Sequence, residues 1–159
     1  MPTLTADDIN VISSKILCSL GAAENDAEVV ANHLADANMV GHDSHGFIRI
    51  LQYVSDIRQG WLDPKAHPEI VAETKGLAQV DGHNAFGQVA ATFSTRLAMD
   101  KAREHGISLV TMCNVAHAGR LGAYPEMAAN EGMAAIMFLG IVGGRIARVA
   151  PFGGLKVIS

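Results

Sequence analysis

The chain has 159 residues, 49% hydrophobic and 18% charged, which is enough apolar material for one sizeable core and too much for a disordered segment. A net charge of −4 and a pI near 5.9, without any run of Lys or Arg, give no electrostatic footprint for nucleic acid or an anionic membrane, so neither is expected as a partner. The N-terminus lacks a basic segment followed by an apolar core, and the longest apolar run, Met133 to Val142, is interrupted by Gly140 and too short to span a bilayer; no signal peptide is expected.

Thr5 with Asp8 three residues on resembles a capping box, and Leu4 is placed to staple onto Ile9. Ile9, Ile12, Ile16, Leu17 and Leu20 then recur at helical spacing until Gly21 stops the helix. Asn25 can cap a second helix whose apolar side is Ala27, Val30, Ala31, Leu34, Ala37 and Val40, ending at Gly41. A third helix is expected over roughly 47–59, closed by Gly60, with Pro64 and Pro68 marking a loop. Beyond it the period changes. Residues 69–74 and 78–80 read as two short strands with Lys75-Gly76 as their turn, and Asp81-Gly82 opens a loop through Asn84 and Gly87. Residues 88–104 form an amphipathic helix with Val89, Phe93, Leu97 and Ala98 inward. Residues 107–113 read as a central strand, 121–130 as a helix and 133–139 as a buried strand.

This order predicts an α/β fold: N-terminal helices, then a mixed, partly parallel sheet flanked by helices. Residues 1–62 form the helical segment and 63–159 the α/β segment. No Gly-x-Gly-x-x-Gly follows a strand, so a Rossmann dinucleotide fold is not indicated. Cys18 and Cys113 lie in apolar surroundings without CxxC spacing, which predicts free, buried thiols in a reducing compartment and a cytoplasmic location.

The chemistry concentrates between Gly41 and Tyr53. His42, Ser44, His45 and Arg49 flank the flexible joint Gly46 where the third helix begins, bringing a titratable imidazole, a hydroxyl and a fixed cation to a helix N-terminus. His45 can pass a proton to a carbonyl oxygen. Arg49 can clamp a carboxylate through two parallel hydrogen bonds. The same residues also allow a bland reading, with Ser44 as a helix cap, His45 bonded to a loop carbonyl and Arg49 lying along a helix surface. His117 directly follows the strand at 107–113, where α/β folds place functional loops, although a structural histidine fits equally. His42, His45 and His117 could be read as metal ligands, but no fourth ligand is indicated and no metal is expected. Adjacent Ser44 and His45 do not form a hydrolase elbow.

Three blocks carry a resemblance. His42-Asp43-Ser44-His45-Gly46 followed by Arg49 and Tyr53, then Asn114 to Tyr124 with His117, then Val149-Ala150-Pro151-Phe152-Gly153-Gly154 resemble, in this order, the malate/L-lactate dehydrogenase family that lacks a Rossmann domain. The resemblance implies an oxidoreductase interconverting a 2-hydroxy acid and its 2-oxo acid with NAD or NADP. Catalytic roles fall to His45, His117 and Ser44, with His45 favoured as acid/base because Ser44 and Arg49 adjoin it. Arg49 and Tyr53 are the expected contacts to a small carboxylic acid substrate, and Pro151, Gly153 and Gly154 lie toward the nicotinamide. Gly140 and Ile141 depart from the Asn or Ser that many relatives carry there. A homodimer is implied. The chain looks like the N-terminal half of a family member. Two alternatives stay open: an oxidoreductase of imines, ureido acids or sugar acids within the same family, and a truncated non-catalytic module that dimerises or binds an acid.

Overall fold

The structure, a computed structural model, describes residues 3–141 and 145–149 and divides into two compact units, Met1–Arg120 and Leu121–Ser159. In the first unit α1 (Ala6–Ser19) begins where its local chemistry says it should. Thr5 Oγ1 accepts from the Asp8 amide at 3.1 Å, and the Asp8 carboxylate accepts from the Thr5 amide at 2.9 Å. These bonds hold the Asp8 carboxyl below its ordinary range, the backbone bond from Thr5 first.

α2 (Glu24–Met39) starts two residues earlier than a cap at Asn25 suggests: Ala23 occupies the N-cap and makes no side-chain cap bond. α1 and α2 pack through Ile9, Leu17, Ala27, Val30 and Leu34, which share a core cluster with Ile50, Tyr53, Leu62 and Phe86. The buried stripe of α1 is narrower than its apolar residues suggest. Ile12 is exposed, and the small Ser13 is fully buried in its place. In α2 the expected Val40 is exposed while His33 is buried. Cys18 and Cys113 are free but exposed, correcting the expectation of buried thiols; apolar neighbours in sequence do not bury a side chain that points off the packed stripe.

The third helix opens in two stages. Short 3-10 turns at Asp43–His45 and Phe47–Arg49, separated by extended Gly46, lead into α3 (Ile50–Arg58), so the α-helix begins at Ile50 rather than near 47. β1 (Glu69–Glu73) pairs antiparallel with β2 (Leu77–Ala85), and β2 pairs parallel with β3 (Leu109–Val115) through α4 (Gly87–His105). This gives the mixed, partly parallel sheet expected, in the order β1-β2-β3.

Two details differ. β2 runs on to Ala85 through left-handed His83 and Asn84 instead of breaking at Asp81-Gly82. The Asp81 carboxylate accepts from the His83 amide at 2.8 Å and from Asn114 Nδ2 at 2.9 Å, stabilising that irregular stretch. β3, read from its apolar sequence as central, is the edge of this sheet, with Leu109 60% exposed. On α4 the deepest side chains are Gln88, Ala90, Ala91, Ser94 and Met99; Val89, Phe93, Leu97 and Ala98 are half-buried.

The second unit contains α5 (Ala123–Asn130), with Pro125 tolerated in its first turn, and the antiparallel pair β4 (Met137–Ile141) and β5 (Arg145–Val149). β4 is half-buried in alternation rather than buried throughout, and Phe138 is exposed. Among the described residues no helix is long and apolar enough to cross a membrane.

Candidate active site

Two loops far apart in sequence meet. The first is 42–49, and its shape is set from α2. Asn38, in the last turn, donates through Nδ2 to Asp43 Oδ1 at 2.6 Å and accepts from the Phe47 amide at 2.8 Å. Gly46 lies so close to the Asn38 side chain that a Cβ there would overlap it. Arg49 then folds back, its Nε donating to the Ser44 carbonyl at 2.6 Å and its Nη1 to Gln52 Oε1 at 2.6 Å. Ser44 Oγ lies 3.0 Å from His45 Nδ1, and the His42 ring meets the His45 ring edge-on at 4.7 Å between centroids.

The second loop follows β3. Gly87, at the start of α4, presses against the backbone of Ala116, His117 and Ala118 and leaves no room for a Cβ. The loop thereby brings His117 over the first site loop, where its ring stacks on that of His45 at 5.3 Å and 28°. His117 Nδ1 lies 3.0 Å from the Tyr53 hydroxyl and accepts from the Gly119 amide at 3.3 Å. The next amide, that of Arg120, donates to His33 Nε2 at 2.7 Å. Behind Tyr53, fully buried Gln88 donates to the phenol oxygen at 2.5 Å.

Burial controls the protonation of this group. It pulls His117 down to about 4, helped by the nearby charges of Arg49 and His45. His45 is lowered as well, first by burial, then by His42 and Arg49. The Tyr53 phenol is pushed up to about 12, again chiefly by burial. Burial thus favours the uncharged forms of His45, His117 and Tyr53 beside the fixed cation Arg49.

Ser44, His45, Arg49, Tyr53 and His117, all expected from sequence, come together. Tyr53, expected at the substrate, has no exposed surface here and reaches the site through its contact with His117. Pro151, Gly153 and Gly154 lie outside the described residues. Among the described residues no three His, Cys, Asp or Glu side chains gather as a metal set. Sequence reasoning missed Asn38, His33, Gln88 and Gly119. The three side chains sit within helix patterns, and their one visible signal is a polar residue at or beside an inward-facing helical position.

A sequence model of malate/L-lactate dehydrogenases matches residues 4–158. The chain belongs to the malate/L-lactate dehydrogenase family. It is 40% identical over 149 residues to hydroxycarboxylate dehydrogenase B of Escherichia coli O157:H7, covering 94% of this chain and 41% of that protein. It is 37% identical over 152 residues to malate dehydrogenase of Pyrococcus abyssi, covering 96% of this chain and 41% of that one. The chain thus spans about two fifths of the length of the curated relatives it matches. Among solved structures, malate dehydrogenase from Entamoeba histolytica superposes with a TM-score of 0.80 at 33% identity, covering 82% of this chain and 37% of that chain. A delta1-piperideine-2-carboxylate reductase from Pseudomonas syringae gives 0.76 at 30% identity, covering 83% of this chain and 40% of that one.

Proposed function

We propose that this chain supplies the acid/base and carboxylate-binding side of an NAD(P)-dependent oxidoreductase that interconverts a 2-hydroxy acid and its 2-oxo acid. The observation that carries this reading is the stacking of His45 on His117 beside Arg49, from loops about seventy residues apart in the chain. The reaction needs three functions: a hydride carrier, a proton donor to the carbonyl oxygen and a cation for the carboxylate. These side chains offer the last two and no two-electron donor, a donor set that fits a nicotinamide, which supplies the hydride when bound. No coenzyme contact is assigned among the described residues.

His45 is the acid/base. In reduction of the oxo acid it gives a proton to the carbonyl oxygen, and in oxidation it takes that proton back. His117, neutral at working pH, donates a hydrogen bond to the same oxygen and stabilises charge developing there. Arg49 is held by the Ser44 carbonyl and Gln52 through Nε and Nη1, so its guanidinium is already oriented before the carboxylate binds. Ser44 orients His45.

The test is coenzyme oxidation by the protein from its native source, with a panel of 2-oxo acids resembling oxaloacetate, pyruvate and sulfopyruvate. Oxidation that depends on the acid and is lost in His45→Ala supports the reading; a panel with no turnover and no acid binding overturns it. The likeness to a piperideine-carboxylate reductase favours a second reading, reduction of a cyclic imine acid, in which the same clamp holds the carboxylate and the proton goes to nitrogen. Turnover of imine acids with oxo acids inert would select it.

A further inference from the structure

We propose that the Gly119 amide and the Gln88–Tyr53 hydrogen-bond chain lock His117 in the tautomer that carries its proton on Nε2, making Tyr53 and Gln88 positioning residues for the site. The inference rests on the proposed function only for its use; the tautomer itself follows from the polarity of the contacts.

A backbone N–H can only donate. Gly119 N lies 3.3 Å from His117 Nδ1, so that nitrogen must present its lone pair. The Tyr53 hydroxyl, 3.0 Å from the same nitrogen, then has to donate into it. Its oxygen is left as an acceptor toward Gln88, which must turn its NH2 inward, and Gln88 Nε2 does lie 2.5 Å away. The fixed amide donor sets the sense of the chain, and the shorter contacts from Tyr53 and Gln88 supply most of its hold on His117.

The opposite direction is worse. With Gln88 turned over, its carbonyl would accept from Tyr53, and Tyr53 would accept from a protonated His117 Nδ1. That ring N–H would then face the Gly119 N–H. Nothing is regained, because Gln88 Oε1 is already buried without a partner, and turning the amide over would put its NH2 in the same position. Burial keeps the phenol protonated and the imidazole neutral across the range in which the tautomer matters.

The geometry also explains why glycine stands at 119. Its φ is +73°, and a Cβ would overlap the His33 ring and crowd Gln88 Nε2 at 3.2 Å. Glycine therefore delivers two successive amides, its own to His117 and that of Arg120 to His33. The consequence for a substrate is chemical: His117 offers it an N–H and cannot accept a proton at that nitrogen. The His117 ring is thereby suited to a carbonyl or alkoxide oxygen, while proton exchange is left to His45.

The experiment is long-range 1H–15N correlation of the imidazole nitrogens in this 159-residue chain at neutral pH, with His117 assigned by the loss of its signals in His117→Gln. A single pattern with unprotonated Nδ1 and protonated Nε2 is expected. Protonated Nδ1, or the averaged shifts of a mixture, overturns the proposal. In Tyr53→Phe only the longer Gly119 bond, at 3.3 Å, is left to hold Nδ1 as an acceptor, and the His117 shifts should move toward the averaged pattern. An unchanged single tautomer there would remove Tyr53 from the positioning role. Because the spectrum of the unaltered chain requires neither substrate nor coenzyme, failure of the proposed activity leaves this result standing, and the converse holds.

Discussion

His45 and His117 share one site and are both held neutral, but their surroundings separate their work. His117 has its inner nitrogen facing two donors, whereas His45 Nδ1 meets the Ser44 hydroxyl. Replacing His45 by Ala is therefore expected to lower kcat by about 10²–10⁴-fold with a smaller change in KM. Arg49→Ala should damage both constants, because the guanidinium positions as well as binds; equal, small losses from the two changes would remove the assignment. The pH dependence has a definite sign. His45 must be protonated to reduce an oxo acid and unprotonated to oxidise a hydroxy acid. Because its folded value lies below that of a free imidazole, the reductive kcat should fall as pH rises through a limb displaced to low pH, and the oxidative kcat should rise through the same limb. Stability responds too. His117 titrates at about 6.5 when unfolded and at about 4 when folded. The unfolded chain thus takes up the proton first as pH falls, and stability present above the upper value is lost progressively down to the lower one. Urea midpoints measured across that range should decline less in His117→Gln than in the parent.

At the scale of elements, the site is only as ordered as the contacts beneath it. Asn38 ties both ends of the 42–49 loop to α2. Asn38→Ala should speed amide exchange from Asp43 to Arg49 while the α1–α2 pair keeps its protection, which hydrogen exchange would read directly. Gly119→Ala combines a left-handed backbone with an overlap on His33 and should cost about 1–3 kcal/mol of stability by denaturant unfolding. What was legible in the sequence follows the same division. α1 could be read because Thr5 and Asp8 signal its start within four residues, and Ser44, His45, Arg49 and His117 could be grouped because they fall in the blocks that resemble the family, where residue chemistry alone left a structural reading open. The strand order could not. An apolar run such as Leu109 to Cys113 looks the same at the edge of a sheet as at its centre, since which strands flank it is decided by distant residues. His33, Asn38 and Gln88 were hidden for a related reason: a polar residue in a helix pattern reads as solvent-facing until the surface opposite it is known. Gly46, Gly87 and Gly119 stand at close approaches that no local pattern announces.

The first unit, taken whole, leaves considerable apolar area open. Ile107, Leu109, Leu51 and Ile48 are exposed, and Ala72, Leu77 and Leu109 line an open trough on the sheet. Apolar area of this kind is covered in stable proteins by association or by further chain. This chain alone is accordingly expected to sediment above its monomer mass at micromolar concentration, and Leu109→Lys to shift it toward monomer; sedimentation velocity on the two chains would decide.

The parallel pairing of β2 with β3 spans the nineteen residues of α4, and that connection fixes when the site can exist. A growing chain complete to Gly106 contains α1, α2, α3 and Tyr53 but has no His117 to accept the phenol's hydrogen bond. Closing a parallel pair across a helix is slow compared with forming the helices themselves. The hydroxyl and the Gln88 amide are therefore supplied by helices that precede the histidine in the chain. Pairing of β2 with β3 is thus also the step that creates the proton geometry.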